Sequence, residues 1–209
     1  MKIILVDDHE LIREGLKKIL NKESDIEVIG EAANADEMFD LLNNNEVDLI
    51  VLDISLPGRS GLDLISDIKN QFDNKKILIL SMHPEERFAV RALRAGASGY
   101  LTKGSSSKFF IEALRKIKNG GKYISAELAE HLAFELEVDH DKPLHELLSN
   151  REFEVMRLIA EGRAVSEIAE TLCISVNTVT SYRSRIMEKM KMKSNAEIIR
   201  YAIEQELIS

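Results

Sequence analysis

The fold class this 209-residue chain predicts is a doubly wound parallel α/β sheet of five βα units, followed by a small all-α domain of four helices that carries a helix-turn-helix. Three observations predict it. Five short apolar runs alternate with amphipathic stretches as far as Gly120-Gly121; a polar, broken stretch follows; and from Leu147 onward only helical periodicity remains.

Lys2 to Val6, Glu27 to Ala32, Asp48 to Leu52, Lys76 to Leu80 and Gly99 to Leu101 read as strands. The central ones are nearly all Ile, Leu and Val, as strands covered on both faces of a parallel sheet must be. A helical stretch follows each strand. Leu11, Ile12, Leu16, Ile19 and Leu20 form the first helical face at three- and four-residue steps, and Phe109, Phe110, Ala113, Leu114 and Ile117 form the last. Beyond Gly121 the stretch through Glu137, Asp139, His140, Asp141, Lys142 and Pro143 suits a linker, with a helix expected over 126–136. The chain therefore divides into a first domain over 1–120, a linker over 121–143 and a helical domain over 144–209. In the helical domain Ser149 with Glu152, and Ser194 with Glu197, match the S-x-x-E capping box, in which hydroxyl and carboxylate satisfy backbone donors left over at a helix start. Gly162 suits a helix C-cap. A short helix from Val165 to Leu172 and a tight Cys173-Ile174-Ser175 turn then lead into a helix from Val176 to Met190.

Composition excludes several classes. Hydrophobic residues make up 44% and charged residues 31% of the chain, the balance of an ordinary globular protein. The apolar runs fall far short of the roughly 20 residues a membrane-spanning helix needs, and Asp7-Asp8 interrupt the first run before a signal peptide could form. No membrane partner and a cytoplasmic location are expected. The lone Cys173, in an apolar Leu-Cys-Ile run, reads as a buried structural thiol. The histidines are scattered, so metal ligation by histidine is not expected. A net charge of -8 argues against coating nucleic acid over the whole surface, yet Arg183, Arg185, Lys189, Lys191 and Lys193 stand against Glu188 alone.

In an open α/β sheet, side chains just beyond the carboxyl ends of the strands converge on one crevice. Asp7 and Asp8 follow the first strand, Asp53 the third, Ser81 the fourth, and Lys103 comes just after the fifth. Singly, each is an ordinary turn or cap residue; their joint placement at four strand ends is what selects chemistry. Three carboxylates in one crevice repel unless a cation is supplied. Mg2+ fits, since it takes oxygen ligands from one or two carboxylates plus a phosphate. With it and Lys103 in place, Asp53 can act as nucleophile toward a phosphoryl donor and become an aspartyl phosphate. Ser81 can then turn its hydroxyl to the new phosphoryl group, and Tyr100 can rotate into the space vacated, which makes a switch with two states.

Asp7-Asp8, Asp53 followed by Pro57-Gly58, Ser81, Ala95-Gly96-Ala97 and Tyr100-Leu101-Thr102-Lys103 together resemble the receiver domain of two-component response regulators, a flavodoxin-like fold. The resemblance implies that Asp8, Asp53 and the backbone carbonyl of Ser55 ligate Mg2+ with Asp7 beside them, that Asp53 is the phosphoacceptor, that Tyr100 is the switch aromatic, and that a sensor histidine kinase is the partner in a phosphorelay. Gly104 stands where many receivers carry a proline after a cis bond, and Met82, beside Ser81, is bulkier than the usual residue and is expected to restrict access.

On the helix from Val176 to Met190, the residues Val176, Val179, Ile186, Met187 and Met190 would face a core. Asn177, Ser181, Ser184 and Glu188 form a polar stripe flanked by Thr180, Arg183 and Arg185, a pattern suited to base edges framed by phosphates in a major groove. Ser149-Asn150-Arg151-Glu152, Leu158 to Gly162, Glu167-Ile168-Ala169, Ile174-Ser175 and Thr178-Val179 resemble the LuxR-type output domain of the NarL/FixJ class. The candidate DNA contacts are Asn177, Thr178, Thr180, Ser181, Arg183, Ser184, Arg185, Lys189 and Lys191, with Thr180, Ser181 and Ser184 placed toward bases and Arg183, Arg185, Lys189 and Lys191 toward phosphates. Thr180-Ser181-Tyr182 replaces the usual Lys-x-His, so the family's contacts do not all carry over. The expectation is a transcription regulator, not an enzyme, acting as a homodimer on promoter DNA. Two alternatives stand beside it. One is a Mg2+-dependent phosphohydrolase working through an aspartyl phosphate, although Ser55 fills the position where its best-known form has a second Asp. The other is a receiver whose helical domain binds protein instead of DNA.

Overall fold

The computed structural model describes residues 1–57, 59–72, 74–83, 85–130 and 143–208. Gly58 of the Pro57-Gly58 pair, most of the expected linker and the expected helix beyond residue 130 lie outside them; residues 126–130 are helical. The chain forms two compact units, Met1–Glu137 and Val138–Ser209.

In the first unit β1 (Lys2–Val6), β2 (Glu27–Ala32), β3 (Leu49–Leu52), β4 (Lys76–Ser81) and β5 (Gly99–Thr102) make one parallel sheet in the order β2-β1-β3-β4-β5. Helices α1 (Glu10–Leu20), α2 (Ala35–Asn44), α3 (Gly61–Gln71), α4 (Glu85–Arg94) and α5 (Ser107–Lys118) follow the strands in turn. All four residues of β3 are buried, which is why its Leu-Ile-Val-Leu has no polar alternation. Ile3, Leu5, Leu49, Val51, Leu78 and Leu101 pack on one side of the sheet against Phe110, Leu114 and Ile117 of α5. The chain order reverses between β1 and β3, so a crevice opens where these two strands end.

Tyr123 falls within the segment expected as linker, yet it is buried in the first unit's core and bridges to Gly99 as a short parallel extension beside β5. Leu11 and Phe109, expected on buried faces, are 87% and 50% exposed. Both lie in the first turn of their helices, where side chains tilt back past the end of the layer the helix covers.

The described residues of the second unit form a 3-10 turn (Leu144–Leu147), then α6 (Asn150–Ala160), α7 (Val165–Thr171), α8 (Val176–Met190) and α9 (Asn195–Glu204). Ser149 and Glu152 form the reciprocal capping box. At α9 the Ser194 hydroxyl accepts from Glu197 N–H, while the Glu197 carboxylate takes the N–H of Lys193. Gly162 ends α6 at φ +81, a left-handed conformation that costs glycine nothing. Phe153, Met156, Ile168, Val179, Ile186 and Ile198 form the core. Val176, expected there, is 49% exposed because it too sits in a first turn. Cys173 is exposed and not buried: with φ +52 the helix-turn-helix corner points its side chain outward.

The first residue of α3 abuts the end of β3. A Cβ on Gly61 would lie 2.5 Å from the Ile54 Cα and 2.8 Å from the Asp53 carbonyl oxygen. Gly61→Ala is therefore expected to destabilise the first unit by about 1–3 kcal/mol through forced backbone movement, read as a lower urea midpoint.

Candidate functional site

Parallel pairing brings the strand ends level. Asp53 N–H donates to the Val6 carbonyl at 2.8 Å, and Lys103 N–H donates to the Ser81 carbonyl at 2.7 Å, so the loops after β1, β3, β4 and β5 leave the sheet side by side. Lys103 extends its ammonium across the crevice, donating to Asp53 Oδ2 at 2.8 Å and lying 2.6 Å from Asp7 Oδ2. All three side chains are nearly inaccessible. The other Asp53 oxygen, Oδ1, accepts the Ser55 N–H at 3.1 Å.

Burial pulls the Lys103 pKa down, but its bonds to Asp53 and Asp7 outweigh that and hold the ammonium above the ordinary lysine value. For Asp53, burial pushes the carboxyl up, and this prevails over the lowering by Lys103 and the Ser55 N–H; the neighbouring Asp7 charge adds to the rise. One ammonium thus serves a crevice holding Asp7, Asp53 and the more exposed Asp8. Ligand atoms of Asp7, Asp8, His9 and Asp53 lie within 4.8 Å of one another, an oxygen-rich set that fits a hard divalent cation. His9 joins this cluster against expectation, its Nδ1 2.7 Å from Asp8 Oδ1 and 3.1 Å from Asp7 Oδ1. Arg13 was also unforeseen: its guanidinium donates to the Asp7 carbonyl at 2.6 Å.

Ser81 and Tyr100 are fully buried. His83 connects them, since its N–H donates to Ser81 Oγ at 3.1 Å and its carbonyl accepts from the Tyr100 hydroxyl at 3.0 Å. Its ring stacks on Phe88, and its Nε2 lies 3.3 Å from Ser55 Oγ. Sequence offered no signal for His83 beyond its place two residues after Ser81. Met82 is 74% exposed and lines a groove with Phe109, Tyr123 and Ile124, and the peptide after Lys103 is trans.

In the second unit α8 presents Asn177, Thr180, Ser181 and Ser184 to solvent. Thr178 is half-buried and bonded at the helix cap, its Oγ1 2.7 Å from Ser175 Oγ. Arg183 Nε donates to Asn195 Oδ1 at 2.7 Å, Arg185 lies over the Tyr182 ring, and Lys191 closes the helix in a left-handed conformation. Lys189 pairs at 2.5 Å with the buried Glu152, the same carboxylate that caps α6. That pairing joins α8 to α6, a tertiary link no local spacing encodes.

Burial raises the Glu152 carboxyl pKa, but Lys189 and the Ser149 N–H outweigh it and hold the carboxyl below the ordinary value of 4.5. The stabilisation this brings is present above the unfolded pKa and lost as pH falls through the folded one. Glu152→Gln is expected to cost the second unit about 1–2 kcal/mol at pH 7, with the difference shrinking below pH 4.5, as read by urea denaturation across pH.

Residues 3–115 match the family described as response regulator receiver domain, and residues 146–202 match bacterial regulatory proteins of the luxR family. The chain is 37% identical to the oxygen regulatory protein NreC of Staphylococcus epidermidis, covering 100% of this chain and 99% of that one. It is 34% identical to the response regulator UvrY of Escherichia coli K12, covering 99% and 95%. Among solved structures, RcsB of Salmonella enterica serovar Typhimurium, bound to promoter rprA in the presence of a phosphomimetic, superposes with TM-score 0.68 at 26% identity, covering 96% of this chain and 97% of that one.

Proposed function

The chain belongs to the response regulators that join a receiver domain to a LuxR-type DNA-binding domain, and from that premise we propose that phosphorylation of Asp53 controls DNA binding through α8. The observation that carries this reading is the buried Asp53 carboxylate held by Lys103 beside Asp7 and Asp8 at the reversal point of the sheet.

In the proposed reaction an Asp53 oxygen attacks the phosphorus of a phosphohistidine on a sensor kinase. The P–N bond breaks, and the imidazole leaves and regains a proton from solvent. Lys103 is positioned to neutralise charge on the transferred oxygens. Asp8 and Asp53, with Asp7 and the Ser55 carbonyl, would hold Mg2+, which supplies further charge stabilisation. The Ser81 hydroxyl then turns toward the phosphoryl group and gives up the His83 N–H, which frees the Tyr100 anchor on the same residue. The surface around α4 and β5 changes as a result.

The division into receiver (1–120), connector (121–143) and DNA-binding domain (144–209) belongs to this proposal, with the burial of Tyr123 and Leu128 carrying the first part into the segment assigned to the connector. Homodimers on promoter DNA are proposed on the likeness to RcsB, one structure of which holds two dimers on two DNAs. A cytoplasmic location is proposed too; no helix among the described residues is long and apolar enough to cross a membrane. Steady turnover of phosphate esters is not part of the reading.

Asp53→Asn is expected to abolish acid-labile phosphate incorporation while the unfolding midpoint stays near that of the parent; undiminished labelling would overturn the site. DNA affinity is expected to fall with salt, and Arg185→Ala to lower the slope of log affinity against log salt by about 1. An unchanged slope would remove Arg185 from the phosphate contacts.

A further inference from the structure

The hydroxyls along the exposed face of α8 all spend their protons in the same way. Thr180 Oγ1 donates to the Val176 carbonyl at 3.0 Å, Ser181 Oγ to the Asn177 carbonyl at 3.0 Å, and Ser184 Oγ to the Thr180 carbonyl at 3.1 Å. A hydroxyl has one proton and two lone pairs, so each of these groups turns only acceptors outward. The long donors flanking them are oriented by partners on their own chain. Arg183 is bonded to Asn195, Lys189 to Glu152, and Arg185 lies over Tyr182.

Base edges in the major groove divide by the same chemistry. Guanine offers two acceptors, N7 and O6, and is most often read by Arg or Lys; adenine and cytosine offer amino donors at N6 and N4. A face of outward lone pairs is matched by amino groups and mismatched by guanine. Asn177, exposed one turn before Ser181, carries the donor and acceptor pair that complements adenine N7 and N6.

We propose that Thr180, Ser181 and Ser184 are specificity-determining residues that act as hydrogen-bond acceptors, so that α8 selects adenine and cytosine amino groups on the strand it faces and disfavours guanine there. Short side chains strengthen the preference, because they bring the helix close enough that a guanine O6 would meet hydroxyl oxygen directly. Turning a hydroxyl outward to donate would break its bond to the carbonyl one turn back. The inference rests on the DNA-binding reading of α8 given above.

The test uses the full chain treated with Mg2+ and a small-molecule phosphodonor. Bound duplexes are selected from random DNA, and in the selected site each adenine is replaced by purine, each cytosine by 2-pyrimidinone and each guanine by 7-deazaguanine, one at a time. Removing an amino group is expected to weaken binding about 3- to 10-fold at two or more positions. The same replacements are expected to have no further effect on a variant carrying Thr180→Val, Ser181→Ala and Ser184→Ala. The parent protein alone answers the question if that variant misfolds. Amino groups that can be removed without loss, or losses confined to 7-deazaguanine, would overturn the inference while leaving DNA binding intact. Failure to enrich any sequence would instead remove the DNA-binding reading and the inference with it.

Discussion

One ammonium shared between two buried carboxylates is the interaction on which the first unit's chemistry depends. Lys103 reaches Asp53 and Asp7 at 2.8 and 2.6 Å from the end of the fifth strand, and the carboxylates come from the ends of the third and first. The order β2-β1-β3-β4-β5 brings those ends together at the point of reversal. With Asp8 nearby, the crevice holds more negative charge than Lys103 can neutralise. A divalent cation would answer that imbalance by supplying positive charge, and a phosphoryl group, which adds negative charge of its own, would need both that cation and Lys103 beside it.

The crevice does not end at its carboxylates. His83 is bonded to Ser81 through its N–H and to Tyr100 through its carbonyl, so a single residue links the buried serine hydroxyl to the buried tyrosine. In the second unit Glu152 has a comparable double use. It caps α6 and grips Lys189 of α8, tying the orientation of the exposed helix to the helix at its back. Lys189, expected to face phosphates, has the buried Glu152 carboxylate as its partner in this structure.

Strand positions were legible because period and composition agree in a sheet buried on both faces, and the residues just beyond each strand follow from the strand itself. Asp7, Asp8, Asp53, Ser81 and Lys103 are placed at strand ends by that rule, and the structure sets Asp7, Asp8, Asp53 and Lys103 around one crevice. Helical periodicity was a weaker guide. It marks a face but not which residues of the first turn overhang the layer beneath, so Leu11, Phe109 and Val176 lie exposed where periodicity places them inward. Cys173 is exposed for a backbone reason, as its left-handed conformation reverses the direction its apolar neighbours suggest. His9, Arg13, His83 and the Glu152–Lys189 pair owe their roles to distances across the fold, which a one-dimensional pattern does not carry.

The proposed switch requires that a covalent charge be taken up at the Asp53 carboxylate and at no other. The most direct measurement treats the parent protein with phosphodonor and Mg2+, reduces it with borohydride, which converts an aspartyl phosphate to homoserine, and maps the peptides by mass spectrometry. Homoserine is expected at position 53 alone. Homoserine at another aspartate, or none at position 53 in protein shown to carry acid-labile phosphate, would contradict it.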